Sequence, residues 1–391
     1  MSDYRVISSD NHVFEPVDLW TSRGEVSKFG DRLPRVVSLG GDVGRSVVGT
    51  QGEDAISRGD WWFVDGHKTM GAFAATQTGL RFEEPEKLSM EGNIEDVRPG
   101  GYIPEEHVKD MDIDGIDISI VFPTVGLVLY SLPDGDLLNS LFRTYNDWVG
   151  EFCNAIPKRL KGIAMLNLDD VAVGVKELER CAKMGFAGAM ITVYPAEDRQ
   201  YDRPEYEPLW AAAQANEMPL SLHIGTNRPG TGQEFQDLDS ATTCFMANVD
   251  HWVRMSLGNM ILSGVFERYP KLQAGSVEME LSWAPHFLDR LDYNYTQRGV
   301  GIAGSYRLKE GALPSDYFHS NIFLGFQEDS LGIRDRDIIG VDNLLWGADY
   351  PHQESTFPRS RAIIDEILSE CTEEEKAKIV GGNSARVYGL D

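Results

Sequence analysis

Short apolar segments recur along the chain at residues 5–8, 116–122, 160–166, 187–193, 219–224, 272–277, 321–326 and 343–346. Several are nearly unbroken, as in Ile118-Ser119-Ile120-Val121-Phe122, a pattern suited to strands covered on both faces of a parallel sheet. The intervening segments carry helical periodicity. In Val171–Met184 the apolar residues Val171, Val175, Leu178 and Ala182 return to one face. Eight such alternations predict an α/β fold, a closed (β/α)8 TIM barrel ahead of an open doubly wound sheet.

The spacing is uneven. The first connection far exceeds the usual βα loop of about 2–6 residues. Residues 13–104 are therefore read as an insertion in a single domain spanning 1–391, a cap on the barrel or an oligomer contact. Within it, Trp61-Trp62-Phe63-Val64, Asp65-Gly66 and His67-Lys68-Thr69 have the chemistry of a two-residue hairpin whose aromatics need a surface to cover. Residues 228–243, rich in glycine and polar side chains, are expected to form a mobile loop over the site.

Composition narrows the function classes. A chain of 391 residues, 42% hydrophobic and 25% charged, fits a soluble globular enzyme. Its 36 Lys and Arg against 62 Asp and Glu give a net charge of −26, which repels nucleic acid phosphates and anionic membrane surfaces. The expected partners are a small-molecule substrate and other subunits, in a homo-oligomer or a hetero-oligomer. Cys153, Cys181, Cys244 and Cys371 lie far apart without a C-x-x-C pair, so they read as reduced core residues. No apolar run nears the ~18 residues of a membrane span, and a cytoplasmic location is expected by default.

Reactive groups of a barrel gather where its strands end. Along Ile7-Ser8-Ser9-Asp10-Asn11-His12, strand alternation sends Asp10 and His12 to the same side, into the mouth. The fifth segment ends on His223. The sixth runs into Glu278-Met279-Glu280, and the eighth into Gly347-Ala348-Asp349-Tyr350-Pro351-His352. Alone, a histidine after a strand is most often a satisfied core residue, and an aspartate there commonly organises a turn. Four strand ends agreeing on one face point instead to a divalent cation, Zn, Mn or Fe. Glu278 is read as facing the pocket, as a ligand or a catalytic group, against the alternative of a loop anchor. His67, His107, His251, His286 and His319 have no comparable position. Gly299-Val300-Gly301-Ile302-Ala303-Gly304 matches a dinucleotide fingerprint, but no strand precedes it and it reads as a loop. Glu373-Glu374-Glu375 after Thr372 reads as a capped helix start.

Taken in order, five motifs resemble the amidohydrolase-related family 2, which includes aminocarboxymuconate-semialdehyde decarboxylase and the aromatic acid decarboxylases. They are Asp10-Asn11-His12-Val13-Phe14-Glu15-Pro16, His223-Ile224-Gly225, the stretch from Ser263 to Leu272, Gly347-Ala348-Asp349-Tyr350-Pro351-His352, and the stretch from Asn383 to Leu390. The resemblance covers most of the chain outside the insertion. It implies a distorted (β/α)8 barrel with one divalent metal held by Asp10, His12, His223 and Asp349. Two departures stand out. Relatives often carry His-x-His or Glu-x-His where this chain has Asp-x-His, and many place a histidine where Glu278 stands. The fourth segment, 187–193, offers no lysine for a carbamate bridge.

The resulting expectation is a metal-dependent lyase or hydrolase of a small carboxylated or carbonyl compound. It would act by decarboxylation or by C–C or C–N hydrolysis, with Asp349 moving the proton and His223 and Glu278 beside it. Two alternatives accompany it. If Glu15, Glu278 and Glu280 all join the cluster, the oxygen donors suffice for two ions and a dinuclear Mn/Fe oxygenase. The other is a non-catalytic partner subunit of a hetero-oligomer.

Overall fold

Apolar runs become strands buried on both sides. The computed structural model describes residues 4–40, 58–196, 198–230, 246–298 and 308–390. Most of the loop expected at 228–243, together with Cys244 and the 299–304 motif, lies outside the described residues. Strand β1 (Ile7–Val13) is followed by β2 (Arg35–Leu39), β3 (Gly59–Val64) and β4 (His67–Gly71). Then come β5 (Ile118–Pro123), β6 (Leu160–Met165), β7 (Gly188–Ile191), β8 (Leu220–His223), β9 (Ala274–Val277), β10 (Ile322–Phe326) and β11 (Leu344–Trp346).

The main sheet has eight strands in the order β1-β5-β6-β7-β8-β9-β10-β11. Its two ends meet: the Asp349 N–H donates to Asp10 O at 2.8 Å, the His12 N–H to Tyr350 O at 2.5 Å, and the Ser9 hydroxyl to Leu345 O at 3.2 Å. The predicted (β/α)8 barrel is the observed fold, closed along this seam.

All eight of these strands start within two residues of their predicted segments. β1 differs at its end, continuing to Val13 because His12 and Val13 still pair with Phe122 and Pro123 of β5. Its pairing jumps from Ser8–Ser119 to Asn11–Val121, one extra residue on β1, a bulge that contains Asp10 and lies just before His12. The helix Val171–Met184 forms as predicted, capped by Asp170 and stopped at Gly185 with φ 89°. At the C-terminal helix, Thr372 and Glu375 cap each other as a reciprocal box.

The hairpin of β3 and β4 turns at Asp65 and Gly66, both with positive φ. β2 adds a third strand that the sequence pattern did not reveal. Trp62 is fully buried, edge-on to Trp20 at 5.6 Å and tilted against Phe14 at 6.5 Å. Trp20 in turn donates to Leu141 O on the long helix Gly135–Ala155. Trp62→Ala removes the centre of this cluster and is expected to cost about 3 kcal/mol or more, measured by urea unfolding. Further along, the insertion is tied to the loop after β11. Thr78 donates to Pro351 O, Ala74 O accepts from the Gln353 N–H at 3.1 Å, and Arg81 donates to Ser355 O at 3.0 Å.

Among the described residues, no helix is long and apolar enough to cross a membrane. Cys153, Cys181 and Cys371 are buried free thiols.

Candidate metal centre

Strand ends bring the expected residues together at one mouth of the barrel. His12 Nε2 lies 3.2 Å from Asp10 Oδ1 and 3.2 Å from Asp349 Oδ1. His223 Nε2 is 3.5 Å from Asp10 Oδ1 and 3.4 Å from Glu278 Oε2. All five predicted residues therefore share one cluster, and it is almost wholly buried.

The backbone prepares both histidines for a cation. His12 Nδ1 is 2.7 Å from Pro123 O, and His223 Nδ1 is 3.0 Å from Ile224 O. A carbonyl only accepts, so each Nδ1 carries a proton, and each Nε2 is the atom that faces the carboxylates and becomes available to a cation once it gives up any proton it holds. Asp10 Oδ1, His12 Nε2, His223 Nε2, Glu278 Oε2 and both Asp349 oxygens are buried without a hydrogen-bond partner. So many unsatisfied buried acceptors in one place are costly in a protein interior, and a cation is the partner that would satisfy them all.

Electrostatics reflect the same crowding. Burial works against charge on Asp10 and Asp349, yet the facing histidines hold both carboxyls below the usual range. Burial likewise opposes charge on His12, but Asp10 and Asp349 outweigh it and push its pKa well up. Glu278, desolvated and facing Asp349 and Asp10, is pushed well above the ordinary carboxylate value.

The segments carrying these groups are packed tightly. A Cβ on Gly347 would sit 2.8 Å from Asp10 Cβ, so only glycine lets the two ligand-bearing segments run side by side. Glu278 and Asp349 adopt left-handed backbone, φ 60° and 58°, a conformation that disfavours most side chains. At 278 the strain should be measurable: the Glu278→Gly variant is expected to be more stable to urea than Glu278→Ala by about 1 kcal/mol. Behind β1, Asn11 donates to Ser119 Oγ at 2.8 Å and accepts from Ser8 Oγ at 2.9 Å, and His107 Nε2 reaches the same Ser119. Burial lowers the His107 pKa to about 4, so it is a neutral core histidine, as its position in a helix suggested.

One member was missed. His352, in the motif after β11, places Nδ1 2.8 Å from Asp349 Oδ1 and stacks its ring 4.1 Å from that of His12. Its other nitrogen is 3.0 Å from Thr124 Oγ1. The only sequence signal was its place in Asp349-Tyr350-Pro351-His352, three residues past a ligand.

Two carboxylates counted toward a larger site are engaged elsewhere. Glu15 accepts from the backbone N–H groups of Thr124, Val125 and Gly126, at the start of the helix Val125–Leu129. Glu280 faces the amides of Gln327 and Glu328, and burial raises its pKa to about 7. Neither belongs to the cluster of mutually close ligand atoms, so the extra oxygen donors assumed for the dinuclear oxygenase are not supplied by Glu15 or Glu280.

Comparison with known proteins bears on the fold and the family. A model of the amidohydrolase family matches residues 61–390; β1, with Asp10 and His12, precedes the matched stretch. A gamma-resorcylate decarboxylase from Polaromonas sp. strain JS666 is 27% identical over 308 residues, covering 74% of this chain and 88% of its own. The crystal structure of an amidohydrolase from Mycobacterium avium subsp. paratuberculosis K-10 has a TM-score of 0.72 at 20% identity and covers 100% of both chains. A dihydroxybenzoic acid decarboxylase from Polaromonas sp. JS666, solved with bound manganese and the inhibitor 2-nitroresorcinol, has a TM-score of 0.62 at 19% identity and covers 99% of this chain and 97% of its own. With the family model spanning most of the chain and the barrel shared, the resemblance seen in the motifs is borne out: the chain belongs to the amidohydrolase family.

Proposed function

We propose that this chain is a metal-dependent decarboxylase of a small carboxylated aromatic compound. The observation that carries the reading is the set of buried, unpartnered carboxylate and imidazole atoms at the barrel mouth, which fits a divalent cation. Support for the substrate class comes from the relatives, named as decarboxylases of resorcylate and dihydroxybenzoate, one of them with manganese. Asp10, His12, His223 and Asp349 would hold the ion, with Glu278 beside them. When bound, such an ion supplies positive charge that draws in and orients the substrate's oxygens.

The chain's own groups do the rest. The Phe122 ring, 5.1 Å from the ring of His223, gives an aromatic substrate an apolar wall. Asp349, buried at the mouth beside His12 and His352, carries the proton to the ring carbon that bears the carboxylate. The C–C bond then breaks, carbon dioxide leaves with the electron pair restored to the ring, and Asp349 is reprotonated from solvent. His352 Nδ1 stands beside the Asp349 carboxylate, 2.8 Å away.

The test is a panel of hydroxybenzoates offered to the manganese-loaded chain, following carbon dioxide release alongside substrate loss. One carbon dioxide per substrate consumed, abolished by chelation and restored by manganese, is expected. Turnover of amides or esters with no carbon dioxide from any carboxylated aromatic would replace this reading with a hydrolase.

A further inference from the structure

The cluster offers more donors than one ion requires. They fall into two groups of four, Asp10, His12, His223 and Glu278, and His12, Glu278, Asp349 and His352, the atoms of each within 4.8 Å of one another. Asp10 and His223 appear in one group, Asp349 and His352 in the other. An imidazole nitrogen has a single lone pair and serves one ion, whereas a carboxylate has two oxygens and can serve two. Asp349 is fully buried with neither oxygen hydrogen-bonded, even though His352 Nδ1 stands 2.8 Å away.

Charge points the same way. Asp10, Glu278 and Asp349 bring three carboxylates into one buried space. With all three ionised, a single divalent ion leaves one negative charge in excess there, and that surplus would repel an anionic substrate. Two divalent ions leave one positive charge, which attracts it. Mixed oxygen and nitrogen donors suit manganese or iron, and paired ions in such centres sit about 3.5–4 Å apart.

We infer that the mouth holds two divalent ions, one bound by Asp10, His12 and His223, the other by Asp349 and His352, with the Glu278 carboxylate reaching both. Histidine at position 278 could serve only one of them, so the glutamate is what makes the pair possible. The inference rests on reading the cluster as a metal centre, and it assigns His352 a ligand role.

The experiment strips the full chain with a chelator, reloads it with manganese, removes the excess and counts metal by elemental analysis alongside electron paramagnetic resonance. Two equivalents per chain and the spectrum of a coupled Mn(II) pair are expected. His352→Ala should fall to one equivalent with a single-ion spectrum. Glu278→His, which keeps a ligand and a side chain tolerant of left-handed backbone, should also fall to one and covers the case in which His352→Ala does not fold. One equivalent in the unaltered chain would overturn the inference and leave the decarboxylase reading standing. Two equivalents unchanged in both variants would overturn it as well, and zero would overturn both readings.

Discussion

Asp349→Asn is expected to lower kcat by about a thousandfold, within the range attributed to a lost general acid or base. Asparagine matches aspartate in shape and tolerates the φ of 58° at this position, so the backbone has no reason to move. Its amide nitrogen can face His12 Nε2 or His352 Nδ1, 3.2 and 2.8 Å from the present oxygen, and keep the side chain in place. What disappears is the negative charge and the capacity to carry a proton to carbon. With manganese saturating, so that the ion is retained despite the weakened ligand, KM should change far less than kcat, because apolar contacts with the substrate are untouched. A variant with turnover within tenfold of the parent and undiminished metal content would exclude Asp349 as the proton carrier.

His12→Ala should weaken manganese binding by roughly a thousandfold, the share of one ligand in the binding free energy of a small metal site. The loss is read by calorimetry on the metal-free chain. The same residue sets a pH dependence. Without a cation, the raised pKa of His12 contributes stability that is complete below its ordinary value of 6.5 and is lost as pH climbs through the raised one. The lowered pKa values of Asp10 and Asp349 contribute stability above the ordinary 3.8, lost as pH falls through the depressed ones. The metal-free chain should therefore weaken toward alkaline pH, and the gain in Tm on adding manganese should grow from pH 6 to pH 9. A gain that is flat or shrinks over that range would mean that His12 does not exchange its proton for the ion.

Barrel strands were legible because burial on two faces writes itself as unbroken apolar runs, and Asp10, His12 and His223 were legible because alternation fixes which side a strand residue faces. His352 had no such rule behind it. It returns to the cluster through a turn, the His352 N–H donating to Asp349 O at 3.0 Å, and loops carry no period from which side-chain direction can be read. Glu15 was misjudged for a related reason. A carboxylate count says nothing of which helix start will need its oxygens, and here the amides of residues 124–126 take them. β2 escaped notice because its residues are half-buried or exposed and pair only within the small sheet. Glu278 was read as facing the pocket; its left-handed backbone, which aims it there, is beyond any strand rule.

The seam that closes the barrel has a consequence for how the protein is made. Ser8 and Ala348, whose hydrogen bond helps join β1 to the segment after β11, are 340 residues apart. Asp10 and His12 leave the ribosome long before Asp349 and His352, and no shorter stretch of chain brings them together. A nascent polypeptide accordingly offers an ion only part of the ligand set, Asp10 and His12 first and then His223 and Glu278, until the segment after β11 is made. The full complement of manganese should be reached only after β11 emerges and the barrel closes, so complete metal uptake in pulse-labelled chains should lag behind translation and report completion of the barrel.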